Sequence, residues 1–105
     1  MMPLTKDFSD TVRERAQRDA KFRRALLEEA VNSMMSGDVE TGRSLMRNYI
    51  NATVGFPRLS KRVRIPKTSL MRMFGPNGNP SADNLFSIIV ELQKQEGVSL
   101  AVHAA

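Results

Sequence analysis

Helix-stopping and helix-starting residues recur in pairs along this chain and cut it into short segments, each of which must bury one face against the others. Gly37 is followed at once by Asp38, a glycine that ends one helix and an N-cap that starts the next. Gly55 precedes Pro57, a break at Arg64 and Ile65 precedes Pro66, and Gly75 opens a run of turn formers that closes at Pro80 before Ser81. Gly97 stops the last helical pattern. A chain punctuated in this way reads as a bundle of short helices.

The opening is charged and helical. Ser9 and Asp10 are placed to cap a helix running to about Arg18, and Asp19 to cap a second beginning near Ala20. That second segment carries Phe22, Leu26, Ala30 and Met34, with Leu27, Val31 and Met35 beside them, an apolar stripe at helical spacing. After Asp38 a third helix sets Val39, Gly42, Leu45, Met46, Tyr49 and Ile50 on one side. Three helices are thus expected before residue 55.

Residues 55–82 hold six of the sixteen basic side chains (Arg58, Lys61, Arg62, Arg64, Lys67 and Arg72) and none of the eleven acidic ones. The formal charge of +5 is a local patch on a nearly neutral body. Such an excess is the footprint of a surface for nucleic acid, whose phosphates make binding fall steeply with salt. The same window reads as a helix from Pro57 with Leu59 and Val63 inward, a break, and a helix from Pro66 to Phe74. In the second helix Leu70, Met73 and Phe74 face inward, leaving Lys67, Thr68, Met71 and Arg72 outward. Helix, short turn and helix is the pattern of a helix-turn-helix, whose second helix enters the major groove of double-stranded DNA.

Ser81 is placed to cap a last helix with Leu85, Ile88, Ile89 and Leu92 inward. From Val98 to His103 apolar residues alternate with small or polar ones, the period of a half-buried strand. A single strand lacks a partner within the chain, so it points to a homodimer in which two copies meet.

Enzymatic chemistry finds no foothold. With no cysteine and one histidine, His103 near the end of the sequence, neither a disulfide framework nor a metal triad is on offer, and no metal or cofactor is expected. No nucleophile has a base at a recognisable spacing, and the two glycines of residues 75–80 follow a helix, where a phosphate-cradling loop would follow a strand. Residues 1–10 lack the apolar run of a signal peptide, and no stretch of about 18 apolar residues occurs, so a cytoplasmic protein outside the membrane is expected.

The stretch "GFPRLSKRVRIPKTSLMRMFGPNGNPSADNLFSIIVELQKQEGVSLAV" resembles the DNA-binding part of the addiction-module antidote family, helix-turn-helix proteins of the Xre/Cro type that include antitoxins. The similarity lies in "S-L-x-R-M" in the reading helix, "G-x-x-G-N-P" in the loop and "N-L" in the final helix. The upstream "FRRALLEEAVNSMMSGDVETGRSLMRNYINATVGF" is similar too, so the likeness spans roughly residues 8–102. It implies a lambda-repressor-like domain, operator binding, autoregulation and a cognate toxin partner.

Carried over by position, the resemblance implies base-edge contacts for Lys67, Thr68 and Arg72. The planar fork of Arg72 suits guanine O6 and N7, although a phosphate contact is the alternative. Lys67 also suits a phosphate, while Thr68 and Ser69 serve equally as helix caps. Arg58, Lys61, Arg62, Arg64 and Ser69 are the backbone-contact candidates, with a solvated charged face as the bland alternative. The early basic residues, Arg13 to Arg24, are expected to pair with Glu14, Asp19, Glu28 and Glu29 at helical spacing. The seven methionines read as core filler, and Tyr49 as a core residue with a wet hydroxyl.

The expected architecture is all-α, with a helix-turn-helix and a short C-terminal β-strand: N-terminal helices over residues 1–54 offering a partner-binding face, and the DNA-binding part over residues 55–105, in one domain. The expected function is a dimeric transcriptional repressor, the antitoxin of a type II toxin–antitoxin pair. A free-standing regulator with no toxin, an RNA-binding module and a protein-interaction module are the alternatives; the RNA reading lacks stacking aromatics, since Phe56 and Phe74 are placed for the core.

Overall fold

A computed structural model of the chain describes residues 8–105, the side chain of Ser9 excepted. Six helices follow one another: α1 (Phe8–Arg18), α2 (Ala20–Met35), α3 (Val39–Ala52), α4 (Phe56–Val63), α5 (Lys67–Met73) and α6 (Ala82–Glu96). The caps act where the sequence places them. Backbone N–H groups of Phe22, Thr41 and Asn84 donate to Asp19, Asp38 and Ser81 at 3.1, 3.2 and 3.2 Å, satisfying first-turn donors of α2, α3 and α6. Helix α1 begins at Phe8, so Asp10 lies inside its first turn, where it pairs with Arg13. Ser9 as a cap, and the reading of residues 1–7, fall outside what is described.

The three N-terminal helices pack on one another, most extensively α2 on α3. Gly42 permits that approach, because a Cβ there would stand 2.9 Å from the Ala30 carbonyl of α2. The apolar core runs from Val12 and Ala16 on α1 through Leu27, Met46 and Ile50 to Leu59, Leu70, Phe74, Ile88 and Leu92. Large side chains buried in this way contribute about 1.5–3 kcal/mol each relative to exposure. Two expected inward residues, Met35 and Val39, flank the α2–α3 turn and are exposed.

One expectation is overturned. Among the described residues there is no β-strand, and residues 98–105 carry no regular structure. The chain turns at Gly97 and the tail lies along the body: Val98 and Leu100 pack against the core, and the Leu100 N–H donates to the Gln93 side-chain oxygen at 2.7 Å. Extended chain resting on a surface alternates its side chains just as a strand does, but a strand also needs a ladder, and here a side chain takes the backbone donor. A dimer built by pairing two such strands loses its basis. Residues Val31, Met34, Leu85, Ile89 and Leu100 line a shallow apolar groove between the tail, α2 and α6.

Candidate nucleic-acid interface

Helices α4 and α5 are joined by Arg64, Ile65 and Pro66. Arg64 ends α4 in the left-handed region (φ 60°, ψ 41°), where a non-glycine residue costs about 1–2 kcal/mol. Three hydrogen bonds to Ser60 hold the turn against that cost: Arg64 N–H to the Ser60 carbonyl at 2.9 Å, Ile65 N–H to the same carbonyl at 3.3 Å, and the Ser60 hydroxyl to the Ile65 carbonyl at 2.6 Å. Pro66 is the N-cap of α5, one residue ahead of the position expected for it, with φ −53°. Its carbonyl accepts the first helical bond, from the Leu70 N–H at 3.0 Å.

Helix α5 is seated by Leu70 and Phe74, both fully buried. The Phe74 ring meets that of Phe56 with centroids 6.5 Å apart and planes tilted by 45°, in the range of favourable aromatic pairs. Two arginines of α3 hold the end of α5 and the loop beyond it. Arg47 donates to the Phe74 carbonyl at 2.6 Å, and Arg43 to the Pro76 carbonyl at 3.3 Å. Neither stood out in the sequence, where nothing local links α3 to a loop almost thirty residues on.

In that loop Gly78 serves space, and neither glycine serves dihedral freedom. Neither Gly75 nor Gly78 has positive φ. Gly78 is buried against the end of α5, where a Cβ would overlap the Met73 carbonyl oxygen and stand 2.5 Å from that of Arg72. Gly78→Ala therefore forces backbone apart, and thermal unfolding is expected to show a loss of about 1–3 kcal/mol. Gly75→Ala, whose Cβ meets nothing nearer than 3.4 Å, is the control and should lose less.

The exposed face of α5 carries Lys67, Thr68, Met71 and Arg72, as expected. Thr68 does not cap the helix, since α5 has no side-chain cap bond, and Ser69 is half-buried. Lys61, Arg64, Lys67 and Arg72 are exposed and, among the described residues, meet no carboxylate. Arg62 differs: it reaches Glu91 of α6 at 3.6 Å. The basic window therefore divides. Arg58 and Arg62 turn toward a polar cleft shared with α2 and α6, whereas Lys61 lies on α4 outside the lining of that cleft, and Arg64, Lys67 and Arg72 stand on the turn and α5.

The early arginines pair less locally than expected. Arg15 meets Asp19 at 3.2 Å and lies 4.9 Å over the Phe22 ring. Arg23 and Arg24 instead converge on Glu96 of α6, at 3.0 and 3.5 Å, and Tyr49 donates its hydroxyl to the same carboxylate. Arg23 also donates to the Ala16 carbonyl at 3.0 Å, so one network ties α1, α2, α3 and α6 together. Tyr49 is thus a core residue, and its hydroxyl donates to the Glu96 carboxylate.

Among the described residues no helix is long and apolar enough to cross a membrane, and no three His, Asp or Glu side chains gather as metal ligands. Comparison with protein-family models, curated proteins and solved structures found no match.

Proposed function

We propose that the chain is a sequence-specific DNA-binding transcriptional repressor whose α5 reads the major groove. The observation that carries this reading is a solvent-facing set on α5 and the preceding turn, Arg64, Lys67, Thr68 and Arg72, with no carboxylate beside it. An unneutralised cationic face on a helix held firmly from behind suits a polyanion whose base edges are to be touched at fixed positions. Arg72 is assigned to a base, Lys67 and Thr68 to base edges at the start of the helix, and Lys61, Arg64 and Ser69 to the backbone. Arg58 and Arg62 remain backbone contacts, with Arg62 shared between a phosphate and Glu91.

The resemblance to the addiction-module antidotes supports the narrower reading of a cytoplasmic antitoxin that represses its own operon. A dimer on an inverted repeat would set two reading helices about 34 Å apart. Selection of bound duplexes from a random pool, at two salt concentrations, tests both points. A palindromic motif and a steep salt slope are expected, and a pool with no enriched motif overturns the reading.

Arg72→Ala should lose about 1–3 kcal/mol of discrimination between the selected duplex and random DNA. Lys61→Ala should weaken binding to both alike. Equal losses for the two variants in a fluorescence titration would remove the assignment of α5.

A further inference from the structure

We infer that the cleft between α2, α4 and the end of α6 is a binding site for phosphate groups. It is an open cleft of about 760 Å³, walled by Arg23 and Arg24 from α2, Arg58 and Arg62 from α4, and Lys94 from α6. Two carboxylates also line it, and both are already engaged. Glu96 holds Arg23, Arg24 and the Tyr49 hydroxyl, while Glu91 holds Arg62 at 3.6 Å and accepts from the Gln95 amide at 2.9 Å. Arg58 and Lys94 have no carboxylate partner among the described residues.

Gathering five cations from three helices around two acids leaves a formal surplus of three positive charges in a concave space. Field lines focus in such a cleft, so the surplus repels itself and draws anions. A phosphate answers it better than a single carboxylate does, because a terminal phosphate brings about −1.5 to −2 charge and three acceptor oxygens, and a duplex backbone brings one charge at each of several neighbouring phosphates. Four of the five cations are arginines, whose planar forks bind such oxygens in pairs. Part of the frame is preset: Arg23 is fixed by the Ala16 carbonyl and by both oxygens of Glu96, so less side-chain freedom is lost on binding. The volume is that of a nucleotide-sized ligand, yet the walls are polar where a pocket for an apolar molecule is mostly hydrophobic.

Phosphate reaches this cleft from two sources, a free phosphorylated molecule or the backbone of a bound duplex. The site does not require that α5 read DNA. Titrating inorganic diphosphate, and separately a random-sequence duplex, into the intact chain at about 150 mM salt distinguishes the sources. The comparison is with Arg24→Gln/Lys94→Gln and with Lys94→Gln alone, exposed positions whose replacement should cost little stability, the Arg24 pair with Glu96 being more than half exposed on the arginine side.

The double variant is expected to bind phosphate at least about tenfold more weakly, since hydrogen bonds to charged groups are the strong ones. If only diphosphate binding falls, the ligand is a free phosphorylated molecule. If duplex affinity falls with it, or falls alone, and the salt slope shrinks, the cleft holds the DNA backbone. In both cases the ratio between selected and random duplex stays constant, so failure of α5 as a reader is seen separately. Diphosphate and duplex affinities equal in the wild-type chain and the double variant would overturn the site.

Discussion

Replacing Glu96 by alanine should lower the free energy of unfolding at neutral pH by about 3 kcal/mol, the scale on which a buried pair fails when one partner is removed. The side chain is 5 % exposed, and its loss strands the buried Tyr49 hydroxyl and leaves the Nε of Arg23, at the wall of the cleft, without its carboxylate. Arg24, more than half exposed, is rehydrated and adds little. Glu96→Gln keeps the volume and an acceptor for Tyr49, so urea unfolding should place it between the two.

The same group gives the chain an acid limb. Burial pushes the Glu96 carboxyl up, but the Tyr49 hydroxyl and the Arg23 guanidinium, with the charge of Arg24, outweigh it and hold the group below its ordinary range. In the unfolded chain a glutamate takes its proton near pH 4.3. Below that value the unfolded state binds a proton that the folded state refuses, so the contribution is present above about pH 4.3 and is lost as pH falls through the folded value. Asp19 acts in the same direction, through the Phe22 N–H and then Arg15, which is why the wild type must be compared with Glu96→Gln. Parallel loss of stability in the two proteins from pH 5 to pH 3 would contradict the account. Tyr49 has the opposite sign. Burial, then the bond to Glu96, raises it well above 10, so its contribution is present below about pH 10 and is lost as pH rises from there through the folded value.

What the sequence discloses of this network is a matter of range. An N-cap closes a bond over three residues, so Asp19, Asp38 and Ser81 announce α2, α3 and α6 by local pattern alone. The face of α5 is legible for the same reason, since helical spacing separates Leu70 and Phe74 from Lys67 and Arg72. Glu96 meets Arg23 across seventy-three positions and Tyr49 across forty-seven, and no periodicity carries that information. Charge counted in a window has the same blindness: residues 55–82 hold no acid, yet folding brings Glu91 to Arg62. Gly78 was legible as a turn residue but not as the place where a Cβ would collide with the backbone of α5. Nor did any glycine mark the left-handed turn at Arg64.

Phe74→Ala should be the most damaging single change near α5, with an expected loss of about 3–5 kcal/mol. Phe74 has no exposed surface and supports Phe56 across the helix pair; its main-chain carbonyl, which Arg47 holds, is kept in the variant. In a chain of this size such a loss should lower the melting temperature by about 12 °C or more. The damage should also be uneven. Helix α5 has only seven residues and packs chiefly on α4, so its amides should lose protection from hydrogen exchange before those of α2 and α3, which pack on each other extensively. Phe74→Leu retains most of the apolar volume and should recover much of the loss. If α5 reads DNA, Phe74→Ala should lose the selected duplex at temperatures where the α2–α3 amides are still protected, and Phe74→Leu should regain it. A melting temperature within about 3 °C of the wild type for Phe74→Ala would mean that α5 is held by the arginines of α3 and not by its aromatic seat.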